Sequence, residues 1–443
     1  MGQPPTNLFS LDESGPASRS APLAAHEIPI DRPAAAAKLL RIAVIDIGSN
    51  SIRLMIADAW PTWREPSALA STHSLAATSG DAKPQAVPKD HATDSTESAS
   101  SAPAPRERRP IFDYHVVAEE RATTRLATGL DSTGKLDSAA MEQSAAAIAS
   151  MVKLAGTFGI APDQVRAVAT SAVREASNRR EFAQLVRRWS GVSIKIISAK
   201  REAKLAFSSI ASSTLNAAAA GAEPKSGPPA TAASALTGPL GPSVLAGAAI
   251  IDIGGGSTEI ILTGRRKRTG RMKRMFLLRT GAVRITERFG GPAICAADRF
   301  AELNAFLAKA MSKGVWELDH RPALLIGVGG TVLSLAGMLV AAGIVEKPTS
   351  ISGGRGRFGK MHYARITFRQ LESALEHLRS MDLAERQLVD GLGKQRADVI
   401  IGGLAILFAA MQRLGKPTLL VHGGGIRDGL ILRAARREWL RQQ

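Results

Sequence analysis

The chain has 443 residues, 45% of them hydrophobic, a formal net charge of +18 and one cysteine, Cys295. A lone cysteine excludes an internal disulfide and a cysteine-based metal cluster, and it suits a reducing, cytoplasmic setting. The length allows two to three domains at roughly 100–200 residues each, and the positive balance points to an anionic partner or substrate without choosing among nucleic acid, a membrane surface and a polyanionic small molecule.

Residues 1–40 are rich in Pro, Ala and Ser and read as a disordered N-terminal extension, without the apolar core of a secretory leader. Next comes "IAVIDIGSNSIRLMIAD", Ile42 to Asp58, which predicts strands at 42–46 and 54–58 around a glycine turn. Residues 61–105 hold only four large apolar side chains, Trp63, Leu69, Leu75 and Val87, too few to offset the entropy of ordering. They read as a low-complexity insertion. Helical patterns follow at 138–158, 178–189 and 199–210, with a strand at 192–197. A second such insertion is expected at 211–246, where only Glu223 and Lys225 carry charge.

"AIIDIGGGSTEIIL", Ala249 to Leu262, then repeats the earlier plan, with strands at 249–253 and 258–262. The run "RRKRTGRMKR", Arg265 to Arg274, carries seven positive residues and no acid. It reads first as a solvated hairpin tip. A nucleic-acid contact through it is the less favoured reading, because no aromatic residues are interleaved for base stacking. A helix is expected at 298–312. The uncharged stretch 323–345 is long enough to span a bilayer, but glycines break it into a strand at 324–328 and a helix at 331–343, so no membrane span is expected. Helices at 368–379 and 396–414 close the series. Strands alternating with helices argue for an α/β protein, and the doubled acid–glycine turn argues for two similar lobes, 41–210 and 247–443.

Each turn has a physical use. Glycine lets backbone N–H groups approach a ligand with no side chain in the way. Gly48 with Ser49, Asn50 and Ser51 makes one phosphate cradle, and Gly254, Gly255 and Gly256 with Ser257 make a second. Gly329, Gly330 and Thr331 make a third, at the start of a helix. Asp46, Asp252 and Glu259 are the candidates for Mg²⁺, which takes one or two carboxylates plus phosphate and water oxygens. Glu259 interrupts an otherwise apolar strand. Arg174 offers a fork for phosphoryl oxygens. Asn178 is placed to cap the following helix or to touch ligand. Glu202, taken alone, reads as a carboxylate at a helix N-terminus.

These segments resemble the two phosphate motifs of the actin-like superfamily of sugar kinases, heat-shock ATPases and phosphatases. The match is closest to the exopolyphosphatase / guanosine pentaphosphate phosphatase (Ppx/GppA) family. "VATSAVREASN" from Val168, "IISAKREAKLAF" from Ile196, "TGAVRITERF" from Thr280, "GVGGTVLSLAG" from Gly327, "RADVIIGGLAIL" from Arg396 and "GGGIRDGLIL" near the end are similar to further family segments, in family order. The resemblance implies two actin-like (ribonuclease H-like) lobes with an active site in the cleft between them. It also implies a catalytic Glu202 that positions the attacking water, although Arg201 stands where the family has a first Glu, and Arg174 facing the cleft. Inorganic polyphosphate or guanosine pentaphosphate is the implied substrate and Mg²⁺ the implied cofactor. The chain resembles a short form without the family's C-terminal helical module. A homodimer, a superfamily kinase and a non-catalytic sensor of guanosine polyphosphates stay open.

Overall fold

The computed structural model describes residues 39–62, 110–219, 245–264, 271–314, 321–346 and 362–443. The readings of 1–38, 63–109, 220–244 and 265–270 lie outside these residues. Residues 39–60 and 112–443 form one compact unit, and Pro61–Ile111 separates as a small second one.

The first sheet has the order β3-β2-β1-β4-β5. Its strands are β1 (Leu40–Ile47), β2 (Ser51–Thr62), β3 (Ile111–Thr123), β4 (Arg166–Ala169) and β5 (Lys195–Ile196). β1 pairs antiparallel with β2 and parallel with β4. The second sheet has the order β10-β11-β9-β6-β7-β8. It comprises β6 (Ala249–Ile253), β7 (Thr258–Thr263), β8 (Met272–Leu278), β9 (Leu325–Val328), β10 (His362–Thr367) and β11 (Thr418–His422). Here β6 pairs antiparallel with β7 and parallel with β9. Each sheet therefore places a tight hairpin beside parallel strands.

The helices are α1 (Leu130–Thr133), α2 (Ser138–Thr157), α3 (Ser171–Glu175), α4 (Arg179–Ser190), α5 (Ala199–Ala219) and α6 (Ala282–Arg288). Then come α7 (Ala297–Gly314), α8 (Gly330–Ala341), α9 (Phe368–Ser380), α10 (Leu383–Leu388), α11 (Ile400–Leu414) and α12 (Ile426–Arg441). The expected helices are present, most within a few residues, whereas the 16-residue α12 was not expected. α5 runs nine residues into the stretch read as an insertion from 211, because alanine carries the helix onward. The strand expected at 192–197 shrinks to Lys195–Ile196. No described helix is long and apolar enough to cross a membrane, and 323–345 divides into β9 and α8 as its glycines imply.

Strand parity places the site. In β1, Ala43, Ile45 and Ile47 face a core with Ile148 of α2 and Phe182 of α4. Ile42 and Val44 face the other way, onto Leu205 of α5 and Leu430 and Ile431 of α12. In β6, Ala249, Ile251 and Ile253 face a core with α7, α8 and α11, whereas Ile250 faces Ala203 and Ile210 of α5. Side chains alternate across a strand, so Asp46 and Asp252 fall on the faces covered by α5 and α12. The last helix, in the stretch read as second lobe, thus packs on the first sheet.

Candidate active site

One cavity of about 140 Å³ collects residues from both sheets. The hairpin after β1 brings Asp46, Gly48, Ser49, Asn50 and Ser51, and the hairpin after β6 brings Asp252, Gly254, Gly255, Ser257 and Glu259. The start of α8 supplies Gly329, Gly330 and Thr331, and the first turn of α5 supplies Glu202. Two expected residues are not on this wall. Gly256 packs behind it, where an added Cβ would come within 2.6 Å of Ser171 Oγ. Arg174, expected on the phosphoryl oxygens, stands behind Glu202 and donates from Nη1 to Glu202 Oε2 at 2.9 Å and to the Ile197 carbonyl at 3.0 Å. Asn178 neither caps its helix through its side chain nor lines the cavity; it exchanges two hydrogen bonds with the Leu136 backbone, each 2.9 Å.

The hairpins are tight because their glycines hydrogen-bond across the turn. Gly48 N–H donates to the Ser51 carbonyl at 3.2 Å and Gly254 N–H to the Ser257 carbonyl at 2.9 Å. Ser49 Oγ meets Ser171 Oγ at 3.0 Å. Asn50 is buried, and neither of its side-chain polar atoms has a hydrogen-bond partner. A buried amide left in that state is costly unless a ligand satisfies it.

Glu202 is 7% exposed. Burial pushes its carboxyl up to about 7, the Arg174 hydrogen bond opposes this, and Asp252 and Asp46 add to it. Asp252 rises to about 6, by burial and by the charge of Asp46. Glu259 is raised by burial and by Glu202 and Asp252, while Ser257 Oγ donates to its Oε1 at 2.8 Å. Asp46 is raised by burial too, and its Oδ1 has no hydrogen-bond partner. Three carboxyls, Glu202, Asp252 and Glu259, are raised in part by neighbouring carboxylates, and such a cluster is a place where a cation would be stabilised.

This donor set fits Mg²⁺ in kind, since all its atoms are hard oxygens and one is unpaired. Among the described residues, no three His, Cys, Asp or Glu side chains close on one point to cage an ion. The fit is therefore to a cation completed by water and substrate oxygens, not to a closed protein cage.

Three arginines share the same wall: Arg53, Arg396 and Arg427. Burial, then the charges of Arg427 and Arg121, push the Arg53 guanidinium down to about 10. Arg396 is lowered by burial and by Arg53 and Arg121. Its guanidinium fills the space where a Cβ on Gly330 would sit, 1.8 Å from Nη2. Arg427 donates to Glu119 Oε1 at 2.7 Å. The sequence reading missed Arg53 and Arg396 as site residues. Arg53 had a signal, because a tight hairpin that pairs Ile47 with Ile52 must pair Asp46 with Arg53. Arg396 had none, since only the fold brings it to Gly330.

The cavity thus brings carboxylates, guanidiniums and glycine–hydroxyl turns onto one wall, with Arg53 close enough for its charge to act on both Asp46 and Asp252. It has the parts to hold a phosphoryl chain by its oxygens and to place a base beside the terminal phosphorus.

The fold has solved relatives at low identity. A Ppx/GppA family member from Aquifex aeolicus is 21% identical, with 92% of this chain and 99% of that chain covered and a TM-score of 0.56. An exopolyphosphatase from Cytophaga hutchinsonii is 19% identical, covering 88% and 96%, at a TM-score of 0.58. An exopolyphosphatase-like protein is 22% identical, covering 90% and 99%, at 0.62. The two sheets are the two actin-like lobes of that fold. The model of the Ppx/GppA phosphatase family matches residues 107–221 and 244–438, well over half of the sequence, and on that match the chain belongs to the Ppx/GppA phosphatase family.

Proposed function

We propose that this phosphatase is an exopolyphosphatase, which removes the terminal phosphate from inorganic polyphosphate. The observation that carries the reading is Glu202: a buried carboxyl at the cavity wall, raised to about 7, anchored by Arg174 and facing two glycine–serine turns. A general base works best when its pKa lies near the operating pH. The choice of polyphosphate over a guanosine polyphosphate rests on the wall, where three arginines stand and, among the described residues, no aromatic side chain offers a base a stacking surface.

In this mechanism Ser49, Asn50, Ser257 and the turn N–H groups orient the terminal phosphoryl group. Arg53 and Arg396 take oxygens of the next phosphates. Glu202 holds a water in line with the terminal phosphorus and accepts its proton as the new P–O bond forms. The bridging P–O bond breaks, its electron pair stays on the shortened chain, and orthophosphate is the product. Mg²⁺, held by Asp252 and Asp46 with Glu259 nearby, would neutralise phosphoryl charge. Positioning and charge stabilisation are sufficient for phosphoryl transfer.

The test is phosphate release from long-chain polyphosphate and from guanosine pentaphosphate, side by side with Mg²⁺, with Glu202→Gln as control. Release from polyphosphate that disappears in the control is the expected result. Release from guanosine pentaphosphate alone would move the assignment to that substrate. Tight binding with no turnover of either would replace the enzyme with a sensor.

A further inference from the structure

A second cavity, of about 360 Å³, lies behind the second glycine turn and outside the catalytic machinery. Its wall includes Arg279, Arg284, Arg288, Thr280, Asp131 and Phe306. Two of the three guanidiniums share two carboxylates. Arg284 donates from Nε to Asp131 Oδ1 at 3.0 Å and from Nη2 to Glu175 Oε2 at 2.9 Å, and Arg279 donates to that same Glu175 oxygen. No carboxylate among the described residues pairs with Arg288, whose guanidinium lies over the Phe306 ring at 4.4 Å. Thr280 is 3% exposed, and its Oγ1 has no hydrogen-bond partner. A guanidinium has five N–H donors, so Arg279 and Arg284 also keep donors beyond their ion pairs.

The cavity is physically tied to the catalytic one. A small space of about 10 Å³ lies between them: Asp131 and Arg284 line it on one side, and Ser49, Gly255's neighbour Gly256 and Val283 on the other. That is about the room for one water. The backbone is continuous too. Val283 N–H donates to the Gly255 carbonyl at 2.9 Å, and an added Cβ on Gly281 would come within 2.3 Å of the Gly255 backbone.

We propose that this arginine cavity is a second oxyanion site that takes a phosphoryl dianion, with Arg288 and Arg279 on its oxygens and Thr280 at its wall. The unpaired cation and the unpaired hydroxyl are the groups such an ion would satisfy, and a tetrahedral oxyanion can meet several guanidiniums at once. The phosphoryl group has two sources, the orthophosphate product or a distal part of a polyphosphate substrate.

The experiment is equilibrium dialysis of inorganic phosphate against the full chain with Mg²⁺, for the wild type and for an R288Q/T280V double variant, with thermal unfolding to check that the variant is folded. Two phosphates per chain in the wild type and one in the variant are expected, with turnover at low phosphate unchanged. One phosphate per chain in the wild type, or two in the folded variant, overturns the proposal. The binding readout needs no turnover, so it is independent of the substrate assigned above. Kinetics then separate the sources. A product site loses the non-competitive part of phosphate inhibition in the variant. A substrate site raises KM for long-chain polyphosphate about tenfold, the worth of one charge-assisted hydrogen bond, and leaves tripolyphosphate unchanged.

Discussion

The two catalytic hairpins have the same backbone and opposite chemistry. In each, an aspartate is the next-to-last residue of the first strand and a glycine N–H closes the turn onto a serine carbonyl. In each, the isoleucine that ends the first strand is paired at the start of the return strand, Ile47 with Ile52 and Ile253 with Thr258. The difference lies one pair further in. Asp46 stands opposite Arg53, whereas Asp252 stands opposite Glu259. The first hairpin therefore sets a guanidinium opposite its aspartate and the second sets a carboxylate opposite its own, which in the proposed mechanism assigns phosphate contact to the one and the cation to the other. The scaffold is written twice, and one cross-strand position distinguishes the two copies.

On that division, the largest effect belongs to the carboxyl that Asp252 and Asp46 help to raise, Glu202. Glu202→Gln keeps the shape and the Arg174 contact but cannot take a proton. A fall in kcat of roughly 10²–10⁴-fold with little change in KM is expected, the usual worth of a general base. In the wild type, kcat should rise with pH through about 7, as the raised carboxyl ionises. A pH–rate profile of both proteins checks this.

Changes in the two hairpins should then separate. Asp252→Asn should weaken Mg²⁺ activation, by about 10–100-fold in the metal concentration required. Arg53→Gln should instead raise KM for polyphosphate by about 10–100-fold, the range for a hydrogen bond to a charged group, with the Mg²⁺ requirement unchanged. Titrating Mg²⁺ and substrate in both variants tests the contrast, and equal shifts in both quantities would collapse it. Gly330→Ala is a gentler probe of the guanidiniums. Its Cβ would overlap the Arg396 guanidinium, the far end of a flexible side chain. The fold should survive with an unchanged Tm, while KM rises about tenfold.

Much of this was legible in the sequence because local rules wrote it. The paired "IDIG" turns predict the hairpins, and strand parity then carries Asp46 and Asp252 to one kind of face. The glycines of 327–330 separate β9 from α8 without help from the fold. Strands without a turn motif were harder. β10 at the sheet edge and β11 beside it pair with each other only at long sequence separation. Arg174 shows the limit of motif reasoning, since its segment was right and its partner was not. An arginine beside a phosphate motif suggests a phosphate, but the five-residue helix α3 aims it at Glu202 instead. The Arg53 pairing could have been counted from the hairpin. The Arg396–Gly330 contact could not, because nothing local joins two residues so far apart.

The smallest expected effect is on stability, and it contrasts the catalytic cluster with the ion pairs behind it. Glu202 has a folded value of about 7, above the ordinary 4.5. Its ionisation therefore costs stability as pH rises from 4.5 to 7, on the order of 1 kcal/mol per pKa unit before its neighbours are counted. Glu175 runs the other way. Burial pushes it up, but hydrogen bonds and charge from Arg284 and Arg279 outweigh that and hold it below its ordinary value. Its stabilisation is present above about 4.5 and is lost as pH falls through the lowered value. Without Mg²⁺, Glu202→Gln should thus raise Tm at pH 8 and do little at pH 4, whereas Glu175→Gln should lower Tm at pH 7 and do little near pH 2. Adding Mg²⁺ should narrow the first gap and leave the second, because the cation relieves only the cluster whose carboxylates repel one another. Thermal melts across pH, with and without Mg²⁺, measure both. A Glu202→Gln gap at pH 8 that Mg²⁺ does not reduce would mean that the carboxylate cluster of the cavity is not where the cation sits.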